Sequence, residues 1–305
     1  MADPDTFVKA MAFTKNSYRD VYPAIDPSRP ELSQVGKVVV ITGASRGLGQ
    51  AMAISFARAN AAGIAITGRS AEGLAATEQR IKEINPSTKV LPLTLDVTDG
   101  PGTDAAFEEI VAKLGTPHVL INNAGAIVSE MIAESSIDTF WGTMEINLKG
   151  TIIATKAFLK ATGNAPTAPT TILNLSSVAT QNVPATMDSY TIAKLAVTKF
   201  TEFLHVEHPE ITSISLDPGM VATDMGHSIP LIAPFIHDSV DLAAGGVVWL
   251  CSGDKKYLSG RYFSVNWDVE EVEKRKEEIV EKDLLMIRLR RGEDIPSAEE
   301  LVIHK

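Results

Sequence analysis

The chain has 305 residues, 45% hydrophobic and 22% charged, which is the balance of an ordinary globular core with a solvated surface. A formal net charge of −10 argues against nucleic acid or an anionic membrane as a partner, although one local basic pocket remains compatible with it. The single cysteine, Cys251, cannot form an intramolecular disulfide, no apolar run reaches the ~18 residues of a membrane span, and the first residues lack a signal core, so a cytoplasmic protein is expected.

Residues 1–34 read as an extension. Prolines at 4, 23, 27 and 30 forbid a long helix, and the aromatics Phe7, Phe13, Tyr18 and Tyr22 suggest that the segment packs on a surface. Order begins at the β-branched run Val38–Ile41, as expected for a strand buried on both faces of a parallel sheet. A glycine-rich turn over 42–49 leads into a small-residue helix over 48–61. Then follow a strand at 64–67, a helix over 74–84 stopped by Asn85-Pro86, and a strand at 90–97. A helix over 105–114 ends at Gly115, and 118–122 makes a fourth strand.

The second half continues with a long helix near 139–162, a strand at 171–176, a helix at 189–206 and a strand at 212–216. After an irregular stretch over 218–238 come an apolar helix at 241–251 and a last strand at 261–265. Such alternation predicts an α/β fold, a doubly wound, Rossmann-like parallel sheet of about seven strands in one catalytic domain over 35–267. Within a C-terminal tail of 268–305, residues 268–291 read as one charged helix, acidic at its start and basic at its end in keeping with the helix dipole. It is either a solvated face or, through Val272, Ile279, Leu284, Leu285 and Ile287, a docking strip.

Gly43, Gly47 and Gly49 sit where the first strand hands over to a helix. Glycines let the backbone approach a pyrophosphate, and the helix start presents free N–H groups and a partial positive charge. The spacing Gly-x-x-x-Gly-x-Gly, with Thr42 before it, differs from the common Gly-x-Gly-x-x-Gly fingerprint and resembles that of the short-chain dehydrogenase/reductase family. The resemblance recurs in order: Asp96-Val97, Asn122-Asn123-Ala124-Gly125, Asn147, Ser177, Tyr190-x-x-x-Lys194, and Pro218-Gly219 followed by Thr223. It covers residues 37–265, and the two extensions look like those of some fungal members.

Carried onto this sequence, the resemblance implies a cofactor site. Thr42, Gly43, Ser45, Arg46, Gly47, Leu48 and Gly49 would form the phosphate turn, with Asp96 and Val97 at the adenine. Asn123, Ala124 and Gly125 would form the pocket wall, with Pro218, Gly219, Val221 and Thr223 over the nicotinamide. It further implies that Lys194 grips the ribose beside Tyr190, and that Asn147 distorts its helix to hold a water on the lysine's proton relay.

The residues support a catalytic reading by their own chemistry. Tyr190 and Lys194 are four apart and therefore share a helix face. A free phenol has a pKa of ~10, and a nearby ammonium is expected to lower it by about 1–3 units, toward working pH. The plainer reading is a core tyrosine beside a snorkelling lysine. Ser177 ends a strand on the carboxyl edge, where it can hold a substrate oxygen. Its neighbour Ser176 is a rival, set aside because Ser177 lies thirteen residues before Tyr190, the separation common in the family. Asparagine is a poor mid-helix residue, so Asn147 is either part of the site or a surface residue. No metal-ligand cluster is expected, and His205 and His208 read as surface.

No carboxylate follows the second strand, where Ile66-Thr67-Gly68-Arg69-Ser70 stands, and Arg69 with Arg46 would clamp a 2′-phosphate. The expected cofactor is therefore NADP(H). Met225, Ile229, Leu231, Ile232, Phe235 and Ile236 make the stretch after Pro218-Gly219 apolar, which favours a small apolar or cyclic ketone or alcohol as substrate. The expected activity is hydride transfer between NADP(H) and a ketone or secondary alcohol. The alternatives are isomerisation, dehydration or cyclisation on the same fold, or a redox-silent regulator. Family members pair through two long helices, here near 139–162 and 189–206, where Ala154, Ala157, Ala193 and Ala196 would allow close approach, so a homodimer or homotetramer is expected.

Overall fold

A computed structural model describes residues 3–288 apart from 164, 165 and 167. Seven strands alternate with helices along the chain. After the short helix α1 (Thr6–Ala10), the order is β1 (Val38–Ile41), α2 (Gly47–Arg58), β2 (Gly63–Gly68), α3 (Ala71–Ile84), β3 (Lys89–Thr94), α4 (Gly100–Leu114) and β4 (Val119–Asn122). Then come α5 (Ile137–Met144), α6 (Gly150–Thr162), β5 (Thr171–Leu175), α7 (Asp188–Glu207) and β6 (Thr212–Asp217). The last elements are α8 (Asp224–His227), α9 (Val240–Leu250), β7 (Tyr262–Ser264), α10 (Val269–Lys274) and α11 (Lys276–Glu281).

All neighbouring strands are parallel, in the order β3-β2-β1-β4-β5-β6-β7. The two-residue period of β1 divides the core. Val39 and Ile41 face a layer built with α2, α3 and α9, while Val38 and Val40 face one built with α4, α6 and α7. Both layers are apolar, which explains why the strands read as unbroken hydrophobic runs and not as alternating ones. The order reverses between β1 and β4, and the crevice beyond their carboxyl ends is where such sheets take ligands. Cys251 is buried behind α9, and its burial pushes the thiol up to about 12.

The expected single helix near 139–162 is interrupted. A π-turn over Glu145–Lys149 joins α5 to α6 and carries Asn147. Of the alanines expected at a helix pairing face, Ala196 alone stays half-exposed. Ala154, Ala157 and Ala193 are buried against this chain's own core, and large apolar side chains such as Trp141, Ile192 and Phe203 are exposed instead.

The charged helix expected over 268–291 is also shorter and broken, and residues 289–291 lie outside the described residues. Arg275 leaves helical geometry between α10 and α11, and its guanidinium lies 3.7 Å from the centre of the Phe13 ring, donating to Phe13 O at 2.6 Å. That contact belongs to a wider seam between the two ends of the chain. Trp267 Nε1 donates to Met11 O at 2.8 Å, Tyr18 N to Asn266 O at 2.9 Å, and Val269 N to the buried Tyr22 hydroxyl at 2.9 Å. Tyr18 stacks on Tyr22 with ring centres 3.6 Å apart. The proline-rich extension is thus folded onto the body, as its aromatics suggested.

Candidate active site

The glycine turn is held from behind. The Thr42 hydroxyl accepts from Asn123 N and Ala124 N, both at 3.0 Å, while Asn123 Nδ2 donates to Thr42 O at 2.8 Å and Gly43 O at 3.1 Å. These bonds knit the ends of β1 and β4 together. Gly43 has φ +68°, and a Cβ there would stand 2.8 Å from Ala124 Cα, so neither the conformation nor the space admits another residue. Asn122, its neighbour in the motif, turns the other way and donates to Asn174 Oδ1 at 2.7 Å and Thr155 Oγ1 at 2.9 Å inside the core.

Helix α2 starts at Gly47 behind the extended Arg46, and no side chain caps it. Its first N–H groups therefore stay available to an anion. They open on a cleft of about 740 Å³ that runs from Arg69 and Asp96 past Gly125 to Tyr190. An uncapped helix start, a glycine that admits close approach and a long cleft fit a dinucleotide.

Ser45, Leu48, Gly49, Val97, Asn123, Ala124, Pro218 and Thr223 line this cleft as expected, and Thr42 stands buried behind it. Asp96 Oδ1 accepts from Thr98 N at 2.9 Å and Thr98 Oγ1 at 2.8 Å, which holds its carboxyl below the usual range with a smaller contribution from Arg69. Arg46 and Arg69 are both on the cleft, but Arg46 is ion-paired with Asp224 at the head of α8. Asp224 gave no signal in the sequence beyond being one more acid.

Further along the cleft, Lys194 is buried and donates from Nζ to Leu175 O at 2.7 Å, with Nζ 5.6 Å from the centre of the Tyr190 ring. Burial brings the ammonium down to about 8. The expected depression of Tyr190 is reversed in this structure. Burial pushes its phenol up to about 12, with the Ser177 hydroxyl pulling down and the Asp217 charge pushing up. The Lys194 ammonium donates instead to the Leu175 carbonyl and lies 5.6 Å from the centre of the Tyr190 ring.

The rivalry between serines is resolved by partners. Ser176 Oγ is tied to Thr198 Oγ1 at 2.8 Å inside the protein, while Ser177 caps the turn over Val178–Gln181 and lines a cavity with Tyr190. Asn147 is fully buried and donates from Nδ2 to Ala126 O at 2.7 Å and Thr143 O at 2.9 Å. Its Oδ1 has no partner among the described residues. A Cβ placed on Gly125 would lie 2.8 Å from that oxygen and 3.7 Å from Lys194 Nζ, so Gly125 keeps open the space beside both groups.

A second, apolar cavity of about 120 Å³ adjoins the first and is lined by Ser177, Gly219, Val221, Met187, Ile232 and Ile236, among others. Gly219 takes φ +82°, and Val221 bridges to Asp238, which turns the loop after β6 over the site. Two contributors escaped the sequence reading. Asp217, the last residue of β6, is buried and accepts from Val178 N at 3.2 Å and Gly219 N at 3.3 Å, pinning both walls of this cavity. Phe7 reaches the cavity from α1. A carboxylate closing an apolar strand was the available signal for the first, and nothing in the extension's pattern singled out the second.

An uncapped helix start at the crossover of a seven-stranded parallel sheet defines a doubly wound dinucleotide-binding fold. The chain belongs to the short chain dehydrogenase family, whose profile matches residues 37–231. It is 33% identical over 294 residues to the short chain dehydrogenase citE of Monascus ruber, covering 93% of this chain and 99% of that protein. It is 29% identical over 285 residues to the short chain dehydrogenase andI of Emericella variicolor, covering 91% of this chain and 96% of that one.

Among solved structures, levodione reductase superposes with a TM-score of 0.71 at 24% identity, covering 76% of this chain and 96% of its own. A gluconate 5-dehydrogenase from Burkholderia cenocepacia in complex with NADP and tartrate gives 0.71 at 24% identity, covering 80% and 97%. A 7α-hydroxysteroid dehydrogenase complexed with NADH gives 0.71 at 22%, covering 81% and 97%. These likenesses establish the fold. Family membership makes the protein an oxidoreductase that uses a nicotinamide cofactor.

Proposed function

We propose that this protein is an NADP(H)-dependent reductase of a small apolar or cyclic ketone, or equally a dehydrogenase of the corresponding secondary alcohol. One observation carries the reading. Of the residues shared by the large cleft and the apolar cavity, Leu48, Tyr190, Pro218, Thr223 and Met225, only Tyr190 has a titratable group. A proton donor at the junction of a dinucleotide cleft and an apolar chamber is what carbonyl reduction needs.

When bound, the nicotinamide supplies or accepts the hydride. The residues of this chain do the rest. Tyr190 hands its phenolic proton to the carbonyl oxygen, and a phenol held up at about 12 is protonated at working pH and ready to give. Ser177 donates a hydrogen bond to the same oxygen as charge gathers there. Lys194, with its ammonium brought down to about 8, returns a proton toward Tyr190. The free Asn147 Oδ1 holds a water on that relay. Arg69 and Arg46 take the 2′-phosphate, and Asp96 with Val97 borders the adenine.

The test is Tyr190→Phe with NADPH and a panel of cyclic and aromatic ketones. Turnover falls by at least the ~10²–10⁴ of a lost general acid, while NADPH affinity is nearly unchanged. Turnover within threefold of wild type would sink the assignment.

A further inference from the structure

We propose that the N-terminal extension builds part of the substrate pocket, with Phe7 as a specificity-determining wall that, among cyclic ketones, favours two-ring over single-ring ones. The proposal rests on the ketone-reductase reading of the adjoining site.

Phe7 lines the apolar cavity together with Ser177, Tyr190 and Ile236, and among the described residues no other one preceding Leu48 reaches it. Its ring meets Phe235 edge to face, with centres 4.8 Å apart at 83°. That geometry suits the opposed charges of ring face and ring edge, and it leaves an aromatic surface for a third ring or an alicycle. Phe235 belongs to the loop after β6 and backs the Phe7 ring, while Ile232 and Ile236 of the same loop line the cavity beside Phe7.

A short helix alone would place such a ring poorly, because five residues cannot hold themselves helical in water. Arg19, later in the same extension, anchors it to the body here. Arg19 donates to Asp5 Oδ1 at 2.6 Å, two residues before Phe7, and to Asp238 Oδ1 at 2.9 Å. Asp238 is buried and also accepts from Met220 N at 2.6 Å, at the root of the substrate loop. Ser239 N donates to Arg19 O at 2.9 Å, and Met11 O takes the Trp267 indole proton on the far side of α1. One guanidinium therefore ties the segment carrying Phe7 to the segment carrying Phe235. The extension and the loop form a single wall, and a substrate that fills the cavity touches both.

The wall predicts a size-dependent effect. Phe7 and Tyr190 line the same cavity, so of two ketones held at Tyr190 the larger is the one expected to touch Phe7. Removing the phenyl group takes apolar contact from the large substrate alone, a loss of about tenfold in affinity for a partly buried ring.

Full-length wild type, Phe7→Ala and Phe7→Leu are compared with saturating NADPH and two probes, 1-tetralone and cyclohexanone. The expected result for Phe7→Ala is a KM for 1-tetralone raised about tenfold with kcat within about twofold. The KM values for cyclohexanone and for NADPH stay unchanged, and Phe7→Leu recovers most of the loss. Calorimetric binding of 1-tetralone with NADP⁺ present gives the same comparison without turnover.

Equal shifts for both ketones, or none, overturn the wall while leaving the reductase reading intact. A wild type that binds 1-tetralone in a Phe7-dependent way and reduces neither ketone overturns the reductase reading and supports the wall. Absence of both binding and turnover overturns both.

Discussion

Arg46, the residue before α2, is ion-paired across the cleft with Asp224, the first residue of α8. Both side chains are largely exposed, so the pair contributes only ~0–1 kcal/mol. A charge-assisted contact to a phosphate contributes ~1.5–3 kcal/mol, so a 2′-phosphate draws Arg46 away from Asp224. The expected outcome of cofactor titration is NADPH binding about tenfold or more tighter than NADH.

Arg69→Ala weakens NADPH by about tenfold and leaves NADH nearly unchanged, and Asp224→Asn tightens NADPH by up to about fivefold by releasing Arg46. Gly68→Asp reverses the preference. A Cβ on Gly68 meets Ser45 at an ordinary 3.5 Å, so the new carboxylate is accommodated beside the expected ribose site. Equal wild-type affinity for the two cofactors would remove the phosphate-clamp reading.

The proposed proton relay has a pH signature. Burial lowers Lys194 to about 8 and raises Tyr190 to about 12. A lysine carries its proton below its pKa, and the phenol remains protonated well above it. Ketone reduction is therefore expected to be level below pH about 8 and to fall tenfold per pH unit above it, with Lys194 and not Tyr190 setting the limb. A kcat/KM profile for reduction that stays flat from pH 7 to 10 contradicts this relay.

Much of the fold was legible because its signals were local and redundant. The β-branched run Val38–Ile41 and the glycines after it point to one structure at every level, from propensity to anion chemistry. What failed to show in the sequence was set by distant contacts. The distortion at Asn147 follows from the family resemblance but not from the helical pattern around it, which shows no break until the side chain bonds to Ala126 O, and Arg275 breaks its helix for Phe13, 262 residues away in sequence. The Tyr190 shift was misjudged in sign because proximity to Lys194 is readable from a four-residue spacing and burial is not. The alanines of α6 and α7 misled for the opposite reason. Small residues allow close approach to any neighbour, and Ala154, Ala157 and Ala193 are already buried within this one chain.

That correction relocates the expected pairing surface without removing it. Trp141 on α5 is 57% exposed, and Phe203 on α7 is 56% exposed, with Ile192 and Leu195 on the same helix also exposed. Large apolar side chains left to water on two packed helices mark an interaction face. We propose a two-fold dimer through α5 and α7. Light scattering is expected to return twice the chain mass for wild type and a monomer for Trp141→Asp combined with Phe203→Asp. A monomeric wild type at micromolar concentration refutes the interface.

Asp217 offers a test of how stability has been exchanged for architecture at the site. Its carboxylate is buried, accepts from Val178 N, Gly219 N and the Ser264 hydroxyl, and feels a second acid in Asp238, so burial chiefly holds its pKa up at about 6. Because the folded pKa lies above the ordinary 3.8, the native state binds the proton more tightly than the unfolded chain. Stability therefore falls as pH rises from about 4 to about 6, and the full penalty, at most about 3 kcal/mol, is present above that window. Asp217→Asn keeps an acceptor for the two backbone N–H groups and offers its amide protons to Ser264, whose own proton can turn to Asn266 Oδ1 at 3.4 Å. The substitution is expected to raise the thermal midpoint by a few degrees at pH 8 and to change it little at pH 4. Thermal unfolding at the two pH values decides the matter, since an equal shift at both would mean that packing, and not the buried charge, sets the cost.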